Sequence, residues 1–198
     1  MTILDQWDCT TGTKLYLIEI PSVSQIYEET GTKHTHRDME AMAVDQVVNK
    51  IYTNHQLCKD EFGKPYLFPK NSEINYSHTQ NKLFWGNHRH FRVGVDIETL
   101  RPQLSKIKLK FCREDELAFI PTLNDLPFLL AIWSCKESIY KAYGKKEVDF
   151  RDHMKISPFK LGSSGKINAL LMMDHSVPLE VHYKWDGTFF MSWTILKD

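Results

Sequence analysis

Gly94-Val95-Asp96-Ile97-Glu98 sets two carboxylates two residues apart among the apolar residues Val93, Val95 and Ile97. Period-two alternation predicts a half-buried strand with Asp96 and Glu98 on one face. Neighbouring carboxylates repel unless a cation or a shared proton offsets them. A hard divalent cation is one stable answer, and Mg²⁺ is usually held by a few carboxylates together with substrate phosphates. The other reading is a solvated strand face that ends in a loop.

A second stretch, Ile132-Trp133-Ser134-Cys135-Lys136-Glu137-Ser138-Ile139-Tyr140-Lys141, predicts a helix with one apolar side. Trp133, Glu137 and Lys141 recur at i, i+4 and i+8 and so share a face, with Lys136 beside them. One acid and two bases at the rim of an apolar helix fit ordinary surface pairing. They also fit a site for metal and phosphate, with Glu137 as a third ligand and the two lysines on phosphate oxygens.

Further motifs fall in order around these two: Gly63-Lys64-Pro65, Asn75-Tyr76-Ser77-His78-Thr79, and Phe111 with Glu116. Taken together, G-V-D-I-E, N-x-S-H-T, G-K-P, F-x-x-x-x-E and W-x-x-K-E-S-x-x-K resemble the 4′-phosphopantetheinyl transferase superfamily, in its larger surfactin-synthetase type. The motifs span roughly residues 60–145, and the two ends match only loosely. Cys112 stands where the family usually has a second aromatic, and the strand at Leu83 to Trp85 is less apolar than in relatives.

The resemblance implies an α+β fold of two similar halves with pseudo-twofold symmetry, residues 1–100 and 101–198, and one active-site cleft between them. It implies transfer of the 4′-phosphopantetheine arm of coenzyme A to a serine of an apo acyl or peptidyl carrier protein, releasing 3′,5′-bisphosphoadenosine. Mg²⁺ would sit on Asp96, Glu98 and Glu137, and coenzyme A would be the co-substrate. Lys136 and Lys141 would meet phosphate charge, and Glu116 would either accept the serine proton or join the metal ligands. Arg37, with His34 and His36, would face the 3′-phosphate, Lys64 the nucleotide, and Ser77 and His78 the pyrophosphate. A monomer is the expected state.

Composition bounds these readings. The chain has 198 residues, 42% of them hydrophobic and 12% aromatic, which is a globular composition. Formal net charge is zero, which argues against bulk nucleic-acid or membrane-surface binding. No apolar run is long enough to span a bilayer, and Met1 to Thr13 lacks the apolar core of a signal peptide. Cys9, Cys58, Cys112 and Cys135 are scattered, as expected of reduced cytoplasmic thiols. The His34/His36 and His88/His90 pairs lack the further ligands zinc would need.

The elements that must carry these groups can be read in order. Lys14 to Ile20 predicts a buried strand and Arg37 to Leu57 a long helix with Arg37 in its first turn, where anions are favoured. Leu83 to Trp85 and Phe91 to Ile97 predict a hairpin around residues 86–90. Pro127 to Tyr143 predicts the second motif's helix, and Leu179 to Lys184 with Thr188 to Leu196 a C-terminal hairpin around Trp185-Asp186-Gly187. Adjacent Ser77 and His78 cannot pair as nucleophile and base, so a hydrolase triad is rejected. Two other classes share the carboxylates: a non-catalytic coenzyme A or carrier-binding homologue, and a Mg²⁺-dependent phosphohydrolase. The first predicts a broken acidic set, and the second does not account for the ordered motifs.

Overall fold

A computed structural model describes residues 2–9, 12–123 and 125–197, and the side chains of Val23, Thr30 and His36 lie outside the described set. The chain divides into two compact units, residues 1–90 and 91–198.

The first unit opens with strands β1 (Thr2–Asp8) and β2 (Thr13–Glu19). Helix α1 (Val23–Thr30) follows, its N-cap Ser22 and Gln25 forming a reciprocal capping box. Helix α2 (His36–Ile51) starts at a second box, Thr35 with Asp38. It stops short of the predicted Leu57, because Gln56, Leu57 and Cys58 enter strand β3 (Gln56–Lys59), which pairs with β4 (Pro65–Phe68). Strands β5 (Glu73–Thr79) and β6 (Lys82–His88) complete an antiparallel sheet in the order β1-β2-β6-β5. Met39, Ala43, Val44, Val47 and Val48 share a core with Tyr16, Ile18, Ile74, Leu83 and Trp85. That is the 3.6-residue stripe of α2 meeting the period-two face of the sheet.

The second unit begins with β7 (Arg92–Thr99), the acidic strand. Helices α3 (Gln103–Phe111), α4 (Glu114–Leu117) and α5 (Asp125–Tyr143) follow, then β8 (Met154–Ile156), β9 (Ser164–Met172), β10 (Ser176–Trp185) and β11 (Phe189–Leu196). The sheet order is β7-β11-β10-β9-β8, all antiparallel. The predicted C-terminal hairpin is present as β10 and β11.

Two expectations need correction. The predicted hairpin between Leu83 to Trp85 and Phe91 to Ile97 does not form. β6 continues through residues 86–88 and pairs with β2 and β5, while β7 pairs with β11, nearly a hundred residues later. For the same reason the division falls at His90/Phe91, and the acidic strand belongs to the second unit instead of closing the first. The fold is mixed α and β with several sheets. No helix among the described residues is long and apolar enough to cross a membrane.

Gly94 sets how closely α5 lies on β7. A Cβ at that position would stand 1.9 Å from the Ser138 carbonyl oxygen and 2.5 Å from the Ala142 nitrogen. Only a bare Cα admits the helix there. Ser192 of β11 continues the contact, exchanging hydrogen bonds with the buried hydroxyls of Ser134 and Ser138. Small residues on both elements therefore press the Ser134-Ser138-Ala142 row of α5 against β7 and β11, which sets Trp133 and Lys141 of the neighbouring row against Glu98 and Asp96.

Candidate functional site

Asp96 and Glu98 alternate with buried Val95 and Ile97 along β7, so both turn toward α5. Lys141 Nζ donates to Asp96 Oδ1 at 2.9 Å. Trp133 Nε1 donates to Glu98 Oε1 at 2.9 Å, and Arg101 donates to the same oxygen at 2.8 Å. Trp133 and Lys141, two turns apart on one helix face, thus each meet one carboxylate of the strand. Burial raises the Glu98 carboxyl, and the Asp96 charge adds to it; Trp133, Arg101 and Lys141 pull the other way. Glu137 is pushed up to about 7, mainly by burial, with Asp96 and Glu98 adding and Lys141 and Arg101 opposing. Mutual charge effects among Asp96, Glu98 and Glu137 place the three acids in one electrostatic neighbourhood.

This set suits a hard divalent cation in donor type: three carboxylates, partly enclosed, with apolar strand residues behind them. Among the described residues no three His, Cys, Asp or Glu side chains already stand as a metal-holding group. The counter-charge comes instead from Lys141 on Asp96 and Arg101 on Glu98. When all three are ionised, the carboxylates outnumber the two cations, and a divalent ion would offset the excess.

Glu116 and Lys136 occupy a different place from the one expected. Both side chains are completely enclosed. Lys136 Nζ donates to Glu116 Oε2 at 2.7 Å and to the carbonyls of Phe111, Phe150 and Met154 at 2.7, 2.9 and 3.1 Å. Glu116 Oε2 also accepts from the Arg113 N–H, and Oε1 accepts from the Ile156 N–H. Burial pulls the Lys136 ammonium below its ordinary value, with Glu116 opposing. In this arrangement neither side chain faces solvent, and each is partnered by the other instead of by a surface ligand. The pair ties the end of α3, α4, the turn at Phe150 and β8 to helix α5. The reason is local: Lys136 and Glu137 are adjacent on α5, about 100° apart, so one turns inward while the other stays at the rim.

The first unit carries the other expected residues. Arg37 is exposed in the first turn of α2. Lys64 sits between β3 and β4, after Gly63 at φ +87°, with Nζ 3.6 Å from Glu73. Ser77 is buried in β5, and His78 beside it directs Nε2 to Glu40 at 2.6 Å. His34 helps line an open pocket of about 480 Å³ with Ser24, Tyr27 and Lys33. The role expected for His36 lies outside the described residues.

Sequence reading passed over Arg101, Glu40 and the contact made by Trp133. Arg101 stands three residues from Glu98 in the chain. Its partner is visible only once the strand end is in place. Glu40 and His78 are thirty-eight residues apart and had no joint signal.

Residues 92–187, just under half of the chain, match the family model of the 4′-phosphopantetheinyl transferase superfamily. The matched stretch begins at the first residue of β7 and contains Asp96, Glu98, Glu116, Lys136, Glu137 and Lys141. No curated protein matches the chain.

Proposed function

We propose that the protein transfers the 4′-phosphopantetheine group of coenzyme A to a serine hydroxyl of an apo acyl or peptidyl carrier protein, releasing 3′,5′-bisphosphoadenosine. One observation carries this reading. Inside the stretch similar to phosphopantetheinyl transferases, α5 brings Glu137 and Lys141 beside the Asp96 and Glu98 carboxylates of β7.

Asp96, Glu98 and Glu137 would hold Mg²⁺, with hard anionic oxygens and charge in the right sense. When bound there, the ion would polarise phosphoryl oxygens and offset charge on the leaving phosphate. Lys141 supplies a second positive charge. Its ammonium is about a quarter exposed, so it reaches solvent from its position on Asp96. A fixed cation at a phosphoryl group stabilises charge that develops in the transition state. Buried Lys136 and Glu116 hold the helix that presents Glu137 and Lys141, and they touch no substrate in this reading. Arg37, Lys64, Ser77 and His78 are proposed as coenzyme A contacts, from their motif positions in the first unit. One chain carries the whole acidic set, which favours a functional monomer, and the scattered thiols favour a reducing cytoplasmic setting.

Incubation with coenzyme A, Mg²⁺ and an apo carrier tests the reading. A mass gain on the carrier equal to phosphopantetheine supports it. Coenzyme A binding without transfer identifies a non-catalytic binding module, and release of inorganic phosphate identifies a phosphohydrolase.

A further inference from the structure

Glu98 receives its two donors on one oxygen. Trp133 Nε1 lies 2.9 Å and Arg101 2.8 Å from Oε1. No donor among the described residues reaches Oε2. The carboxylate is therefore split by its surroundings into a held oxygen and an open one. We propose that Trp133 is a positioning residue, whose indole N–H pins Glu98 Oε1 and so presents Oε2 to a divalent cation. This rests on the metal reading above.

The two donors differ in kind. Arg101 is a charged group with a side chain 44% exposed, so it is screened by water and competes with a cation for the same carboxylate. The indole N–H is neutral and can only donate. It fixes the carboxylate without offsetting the charge the metal needs. Outer partners of this kind orient ligating groups, and losing one typically weakens metal binding about 10- to 100-fold.

The indole is itself held. Phe111 packs against it in a T-shaped pair at 5.2 Å between ring centroids, and Phe150 lies tilted at 5.5 Å. The carbonyls of these same two residues accept from Lys136 Nζ at 2.7 and 2.9 Å. The enclosed Lys136–Glu116 pair thus fixes the backbone of both aromatic walls, the walls fix the indole, and the indole fixes Glu98. This gives the buried pair a route to the site without any contact with substrate.

The test uses Trp133→Phe, which keeps an aromatic ring and removes the donor. Mn²⁺ affinity is read by electron paramagnetic resonance without coenzyme A, beside native protein, Arg101→Ala and Glu98→Ala. Expected is native binding that Glu98→Ala abolishes, Trp133→Phe weakens about tenfold or more, and Arg101→Ala leaves equal or tighter. Native-like Mn²⁺ affinity in folded Trp133→Phe overturns the positioning role and leaves the metal reading standing. Equal binding by native protein and Glu98→Ala overturns both. Should Trp133→Phe not fold, the native indole N–H decides, read by ¹⁵N-tryptophan nuclear magnetic resonance. Its resonance should move on Glu98→Gln and respond to Mg²⁺; an indole signal indifferent to both overturns the proposal.

Discussion

Lys136 Nζ and Glu116 Oε2 meet at 2.7 Å with neither side chain reaching solvent. An ion pair so enclosed is costly to form and costlier to break, because the surviving charge is left without its partner. Glu116→Gln or Lys136→Met alone should lower unfolding free energy by about 3–5 kcal/mol. Replacing both by apolar residues should cost less than the sum of the two. Urea unfolding of the three variants checks this. Native stability in Glu116→Gln, together with lost carrier modification, would return Glu116 to the role of base.

Glu137 predicts a pH dependence of the metal-free protein. Its carboxyl rises from 4.5 to about 7, chiefly through burial. Between those values the native state holds more protons than the unfolded chain, so stability falls as pH rises through the window. The contribution is full below about pH 4.5 and gone above about pH 7, with a slope of at most about 1.4 kcal/mol per pH unit. Glu137→Gln should flatten this slope and gain stability relative to native protein at pH 8. Urea titrations at pH 5 and pH 8 in chelator check it. Mg²⁺ at pH 8 should stabilise native protein more than Glu137→Gln.

Gly94 should tolerate no side chain. Its added Cβ would press into the α5 backbone at Ser138 and Ala142, where no flexible group can yield. Gly94→Ala should cost about 1–3 kcal/mol or more and lower carrier modification, because it lifts Glu137 and Lys141 away from Asp96. Thermal melts beside turnover check it. Native melting with native turnover would show that the close approach is not required.

Arg37 and Lys64 should act on coenzyme A binding. If they contact its nucleotide end, Arg37→Ala or Lys64→Ala should raise KM for coenzyme A about tenfold, about 1.4 kcal/mol, with little change in kcat. Contacts that are equal in ground and transition states behave so. An unchanged KM in both would make them ordinary surface residues. Lys64→Ala also loses its Glu73 contact, so a melt must accompany the kinetics.

Much of the chemistry was legible in order of residues alone. Alternation along Val93 to Glu98 placed both acids on one strand face, and the four-residue spacing from Trp133 to Lys141 placed three groups on one helix face. Both follow from backbone periodicity, which is local. Helix ends are local chemistry of the same kind: Ser22 caps α1, and Gly144 takes a positive φ just past α5. The motif order pointed to the superfamily that residues 92–187 match.

The tertiary structure decided what periodicity cannot carry. β1 (Thr2–Asp8) reads as polar chain, because an edge strand exposes most of its side chains; only its ladder to β2 makes it a strand. The partner of β7 is β11, and pairing over that distance is set by which apolar faces bury together, not by turn residues between neighbours. Lys136 and Glu137 are adjacent charged residues with nothing in their types to say which turns inward. The carbonyls of Phe111, Phe150 and Met154, brought together from separate elements, make the inward position habitable for an ammonium and so leave Glu137 at the rim.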